Sequence, residues 1–112
     1  MDLASILESL LIASESPLPT SELARLVRAR ATELSDDSIT ENPEHTLDPD
    51  SPEASLDLKK LSELNNEEVI SALAELNKTY EAANRSFVAA ERSKGWKIYT
   101  KPDYAGFVKL LF

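Results

Sequence analysis

Residues 65–100 read NNEEVISALAELNKTYEAANRSFVAAERSKGWKIYT, a helix followed by a hairpin, and that succession decides the fold. Asn65 as N-cap with Glu68 three residues on makes a capping box, in which each side chain takes a backbone N–H that a helix start leaves unpaired. Leu64, ahead of the cap, is placed to staple onto Val69. Val69, Leu73, Leu76 and Tyr80 then recur along one face to about Ala82, and Asn84 stops the helix. Ser86 to Glu91 and Trp96 to Thr100 are rich in aromatic and β-branched residues and read as two strands. Arg92-Ser93-Lys94-Gly95 turns between them, with Gly95 supplying a positive φ. Trp96, Ile98 and Thr100 point to one side, Lys97, Tyr99 and Lys101 to the other.

Toward the N-terminus, Leu3, Ile6, Leu7, Leu10 and Leu11 make an apolar helical stripe within residues 2–15, with Asp2 as N-cap. Pro17 and Pro19 end it in an extended corner. Thr20 or Ser21 caps a second helix to about Ala29, with Leu23, Leu26 and Val27 inward and Arg25, Arg28 and Arg30 on or beside its outer face. Leu56 to Leu64 regains apolar periodicity as a short helix or extended segment. Beyond the hairpin, Pro102 opens a last helix carrying Tyr104, Phe107, Val108, Leu110 and Leu111. Three helices, a β-hairpin and a closing helix predict a mainly α, α+β winged helix-turn-helix: residues 65–82 take the recognition position and the hairpin is the wing.

The 112 residues suffice for one modest core, and 42% apolar with 29% charged residues is a globular balance. There is no cysteine, which excludes disulfides, thiolate nucleophiles and cysteine metal sites. No apolar run approaches the roughly 18 residues of a membrane span, and the acidic start Met1-Asp2-Leu3 is unlike a secretory signal. A cytoplasmic protein is expected. The net charge of −8 sits almost wholly within residues 31–64, and the remainder is close to neutral. Residues 31–55 hold many of those acids, three prolines (Pro43, Pro49, Pro52) and few apolar side chains, so a mobile acidic insertion is expected there.

Chemistry finds little support. The single histidine, His45, falls in the acidic insertion with no orienting partner, and general acid–base work needs one. The acid pairs Asp36 with Asp37 and Glu67 with Glu68 read as solvating charge and as complements of a helix dipole. Only Gly95 and Gly106 are present, so no glycine-rich phosphate loop exists, and no cofactor is expected. A helix in the recognition position with Glu67, Glu68, Glu75 and Glu81 against Lys78 is a poor reader of DNA. The wing is basic: Arg92, Lys94, Lys97 and Lys101 interleave with Trp96 and Tyr99. That pattern suits a weak, non-specific phosphate contact or, more plainly, lysines that keep a hairpin edge from pairing. Interaction with protein has the positive evidence. Trp96, Tyr104, Phe107, Leu110, Leu111 and Phe112 form a candidate interface, because the chain's last stretch is more apolar than an exposed helix should be. Phe107 and Leu111 suit the domain's own core equally; Leu110 and Phe112 point elsewhere.

Leu3 to Pro19 (LASILESLLIASESPLP), Asn66 to Tyr80 (NEEVISALAELNKTY) and Ser86 to Leu111 (SFVAAERSKGWKIYTKPDYAGFVKLL) together resemble the N-terminal domain of segregation and condensation protein B, ScpB. The likeness fails across the acidic stretch, which is longer than the family's loop. The resemblance implies a non-enzymatic subunit of a bacterial SMC–kleisin chromosome segregation and condensation complex. Such a subunit is nucleoid-associated, pairs with itself and grips the kleisin (ScpA-like) that bridges the SMC heads, with no small-molecule substrate and no membrane. It also implies a single winged-helix domain over residues 1–112, the family's second one being absent. A winged-helix DNA-binding transcription regulator is the alternative.

Overall fold

The computed structural model describes residues 1–37 and 52–112. In chain order these form α1 (Leu3–Ala13), α2 (Thr20–Asp37), a 3-10 turn (Pro52–Ser55), α3 (Leu58–Ser62), α4 (Asn66–Ala82), β1 (Phe87–Arg92) and β2 (Gly95–Thr100). A helical run closes the chain: α5 (Ala105–Val108), with 3-10 turns at Pro102–Tyr104 and Lys109–Leu111 on either side. The fold is an α+β winged helix, with α4 in the recognition position.

Two of the three expected caps, Asp2 and Asn65, lie where the sequence puts them. α2 begins at Thr20 itself, with Pro19 offering the first carbonyl, so Thr20 and Ser21 stand inside the helix, and the Thr20 hydroxyl bonds Trp96 and Glu91 instead. Asp2 accepts the Ser5 N–H at 2.8 Å, and hydrogen bonding from the Ser5 side chain and then from this N–H holds its carboxyl below the usual range. Asn65 accepts from the Glu68 N–H at 2.9 Å while Glu68 accepts from the Asn65 N–H at 3.2 Å, a complete capping box. Asp57 caps α3 through the Lys60 N–H at 3.1 Å, so the segment from Leu56 to Leu64 resolves as a short helix.

The core lies where α1, α2 and α4 meet the inner face of the hairpin. Leu7 and Leu11, Leu23, Ala24 and Val27, then Val69, Leu73, Leu76 and Tyr80 fill it, with Ala89 from β1. Phe87, Trp96 and Ile98 pack on its margin. The two strands pair antiparallel from Phe87 opposite Thr100 to Arg92 opposite Gly95, leaving Ser93 and Lys94 as the turn. A third strand is reduced to one residue: Leu18 exchanges both backbone hydrogen bonds with Trp96, at 2.9 and 2.7 Å. Gly95 does have a positive φ of 127°, but it opens β2, and close approach adds a second demand for glycine. A Cβ there would lie 2.4 Å from the Leu18 carbonyl carbon.

One boundary differs from the sequence reading. α2 does not stop near Ala29; it continues to Asp37, so the first seven residues of the expected insertion are helical. Val27, Ala31 and Leu34 continue the inward stripe at i, i+4 and i+7, and Ala31 and Leu34 are buried. Ion pairs Arg25–Glu22 and Arg30–Glu33, each one turn apart, line the opposite side. Residues 52–55 at the far end form the 3-10 turn. His45 and the rest of the expected insertion lie outside the described residues.

Candidate interaction surfaces

The hairpin is anchored along both edges. On the β2 side Leu18 occupies the ladder positions of Trp96, as above. On the β1 side the Asn77 side chain does the work of a strand: its Nδ2 donates to the Ala89 carbonyl and its Oδ1 accepts the Ala89 N–H, both at 2.8 Å. Asn77 therefore satisfies the outward backbone groups at the middle of β1 and ties the wing to α4. Sequence reasoning missed it. The available signal was a polar residue, a mediocre helix former, set mid-helix between Leu73, Leu76 and Tyr80.

The basic side chains of the wing are largely committed within the domain. The Arg92 guanidinium lies 4.2 Å from the Tyr99 ring centroid. Lys97 Nζ donates to the Glu15 carbonyl at 3.2 Å. Lys101 Nζ meets Glu81 at 2.8 Å; the bond raises the lysine and lowers the carboxyl, each favouring its charged form. Lys94 sits exposed at the turn. On α4, Glu68 is spent in the capping box, Glu75 pairs with Lys78 at 3.3 Å, and Glu81 holds Lys101.

Trp96 stands apart from the other candidate interface residues. It is half-buried, its inner-face position sets the ring against the core, and its indole N–H donates to Thr20 Oγ1 at 2.9 Å. Thr20 Oγ1 in turn donates to Glu91, so the indole is the start of a short polar chain that joins α2 to the wing. Tyr104 is exposed at the start of the closing helical run. Phe107, Leu110, Leu111 and Phe112 are 77–99% exposed. Between the two roles the sequence left open for Phe107 and Leu111, the structure removes one: neither closes this domain's own core. Phe107, Leu110 and Leu111 fall at i, i+3 and i+4, a single apolar face.

A second apolar surface was hidden from sequence reasoning by the misplaced end of α2. Between α1, α2 and the segment Pro52–Leu61 lies an open groove of about 310 Å³. Ile6 and Leu10 from α1, Leu26 and Leu34 from α2, and Leu56 and Leu61 are among the side chains that line it. Arg30 closes one end: its guanidinium forks onto the Glu53 carboxylate with two bonds of 2.9 Å. That fork holds Glu53 below the usual carboxylate range. Among the described residues no group of acids and histidines is arranged to hold a metal, and no helix is long and apolar enough to cross a membrane.

Three packed helices with a hairpin wing, and apolar surface left outside the core, define a winged-helix domain. The family model for the segregation and condensation complex subunit ScpB matches residues 50–112, more than half of the chain, and the chain belongs to that family. The match takes in α3, α4, the wing and the closing helix. Over the whole chain, two solved structures share the fold. ScpB from Mycobacterium tuberculosis superposes with a TM-score of 0.58 at 18% identity, over 99% of this chain and 49% of that one. A conserved hypothetical protein from Chlorobium tepidum superposes with a TM-score of 0.62 at 22% identity, over 98% of this chain and 48% of that one. The chain thus spans about half the length of these two structures. No curated protein sequence matches it.

Proposed function

We propose that this domain is a non-enzymatic, homodimerising, kleisin-binding module of a bacterial SMC–kleisin chromosome condensation and segregation complex, working at the nucleoid. Family membership supports the complex. The observation that carries the interaction role is the apolar end of the chain, where Phe107, Leu110, Leu111 and Phe112 are 77–99% exposed. Burial of such a face supplies affinity without chemistry, and aromatic anchors are typical of interface centres. The domain's contribution is architectural: a pair of modules holds a flexible kleisin segment and biases how the ATPase heads engage.

Light scattering across a concentration series tests the pairing. A mass rising to twice 12.4 kDa supports it; a monomer throughout removes it. Titration of a labelled kleisin fragment tests the second half, with saturable binding expected and none in the presence of Phe107→Glu. The rival, a DNA-binding regulator, has the winged-helix fold in its favour and the charge of α4 against it. The double variant Lys94→Glu, Lys97→Glu separates the two: DNA affinity at low salt that disappears in the variant would support the rival.

A further inference from the structure

We propose that Lys101 is a positioning residue: its contact with Glu81 fixes the direction in which the chain leaves the wing, and with it the aim of the residues that follow. The device works within a single chain, so it holds whichever partner those residues meet.

Three parts of the fold converge on Lys101. Its N–H donates to the Ser86 carbonyl at 2.8 Å, which registers it against the chain just ahead of β1. Its carbonyl accepts the Tyr104 N–H at 3.0 Å and so starts the turn Pro102–Tyr104. Its Nζ donates to Glu81 of α4 at 2.8 Å. Glu81 is chief among the groups that favour the ammonium, and Asp103 and Tyr104 of the turn follow. The backbone is set as well. A residue before proline is confined to extended conformations, and Lys101 has φ −66° and ψ 146°.

The body side of the contact is firm. Glu81 lies in the last turn of α4, and the N–H groups of Ala83, Asn84 and Arg85 bond back to the carbonyls of Thr79, Glu81 and Tyr80 at 2.9–3.0 Å. Asn84 takes the left-handed φ of 55° that closes the helix. A carboxylate at a helix C-terminus is opposed by the dipole, and α4 has no basic residue in its own last turn. Lys101 supplies that cation from 20 residues away. The lysine side chain is only 23% exposed, its stem laid along the domain, whereas Glu81 is 78% exposed. Solvent therefore reaches the pair from the carboxylate side, and salt screens it.

Distances within one chain test the proposal, and the cysteine-free sequence accepts paired spin labels without background. Ser71→Cys on α4 and Lys109→Cys beyond the wing, both exposed, carry the labels in the full 112-residue chain. Labelled chain is diluted in unlabelled chain, so that only intramolecular distances register and self-pairing does not enter the result. One narrow distance population is expected with the Lys101–Glu81 contact intact. Lys101→Met keeps the stem and removes the charge; it should raise the other distances about fivefold against the main one, the most that an exposed ion pair supplies. Glu81→Gln and high salt should act alike, whereas Lys101→Arg should keep the single population. Leu73 amide protection is expected to persist in every variant. Unchanged distances in both Lys101→Met and Glu81→Gln would overturn the proposal, as would a broad distribution before any charge is removed. Loss of Leu73 protection in Lys101→Met would overturn it too, because the contact would then hold the core and not the exit from the wing.

Discussion

The helical body and the closing helix are built from the same kinds of residue and end in opposite states. In the body, Leu7, Leu23, Val69 and Leu73 are fully buried, and the Tyr80 ring meets Phe87 edge-on with centroids 4.7 Å apart. Polar groups that enter that core are paired across long sequence separations. The Tyr80 hydroxyl donates to Glu8, and burial, then this bond, push the phenol well above its ordinary value. Arg28 donates to the Leu64 carbonyl at 2.8 Å, and Asn77 binds Ala89. In the closing helix the backbone bonds are local, Tyr104 N–H to Lys101 and Phe112 N–H to Lys109, at 3.0 and 3.3 Å. Its large side chains Phe107, Leu110, Leu111 and Phe112 stay 77–99% exposed. Apolarity alone therefore does not make a core. A residue is buried when a second element covers it, and among the described residues no element covers Phe107, Leu110 or Leu111.

The sharpest way to break this contrast is to cut equivalent mass from each side. Leu73→Ala should cost about 2–5 kcal/mol in chemical denaturation, since the core cannot collapse around the lost side chain. Gly95→Ala should cost about 2–4 kcal/mol, because the new methyl group meets the Leu18–Pro19 backbone and the φ is left-handed; loss of the wing's amide protection from hydrogen exchange reads it out. Asn77→Ala should cost about 1–3 kcal/mol by stranding the Ala89 amide and carbonyl, and the Ala89 amide should exchange faster while Leu73 amide protection persists.

The clasp at the groove gives a smaller effect with a defined sign. Glu53 is lowered in the fold, so its contribution is present above the ordinary carboxylate range and is lost as pH falls through its lowered pKa. Wild-type chain should lose more stability than Glu53→Gln on acidification from neutral pH through that range, by roughly 0.5 kcal/mol or less for a solvent-reached pair. Least of all, Phe107→Ser should change the stability of the isolated domain by under about 0.5 kcal/mol, measured at concentrations dilute enough to exclude pairing. A cost comparable to Leu73→Ala would mean that the closing helix is core after all.

Much of this was legible in the chain because it is local. Caps, the proline corner, the α4 stripe and the alternation of Trp96 and Ile98 against Lys97 and Tyr99 depend on residues within a few positions of one another. Where the reading fell short, the deciding contact was distant. The end of α2 was placed too early because Ala31 counts little in a hydropathy pattern; its burial depends on packing in the folded domain. Trp96 was grouped with the closing helix because both are aromatic and near in sequence, yet its partner is Thr20, 76 residues away. Lys97 and Lys101 read as a candidate phosphate contact, and no local pattern shows their partners, the Glu15 carbonyl and Glu81, 82 and 20 residues away.

The sequence by itself determined the order and type of the elements, the family, and the acidic character of the recognition-position helix. The elements and the charge follow from short-range periodicity, capping chemistry and composition; the family follows from the resemblance of residues 3–19, 66–80 and 86–111 to ScpB. Tertiary structure alone decided which apolar residues are core and which are surface. It also held both edges of the wing, paired Lys101 with Glu81, and joined α1, α2 and Pro52–Leu61 into a groove. Those outcomes depend on which distant elements come to lie within a few ångströms, a property that no local pattern encodes.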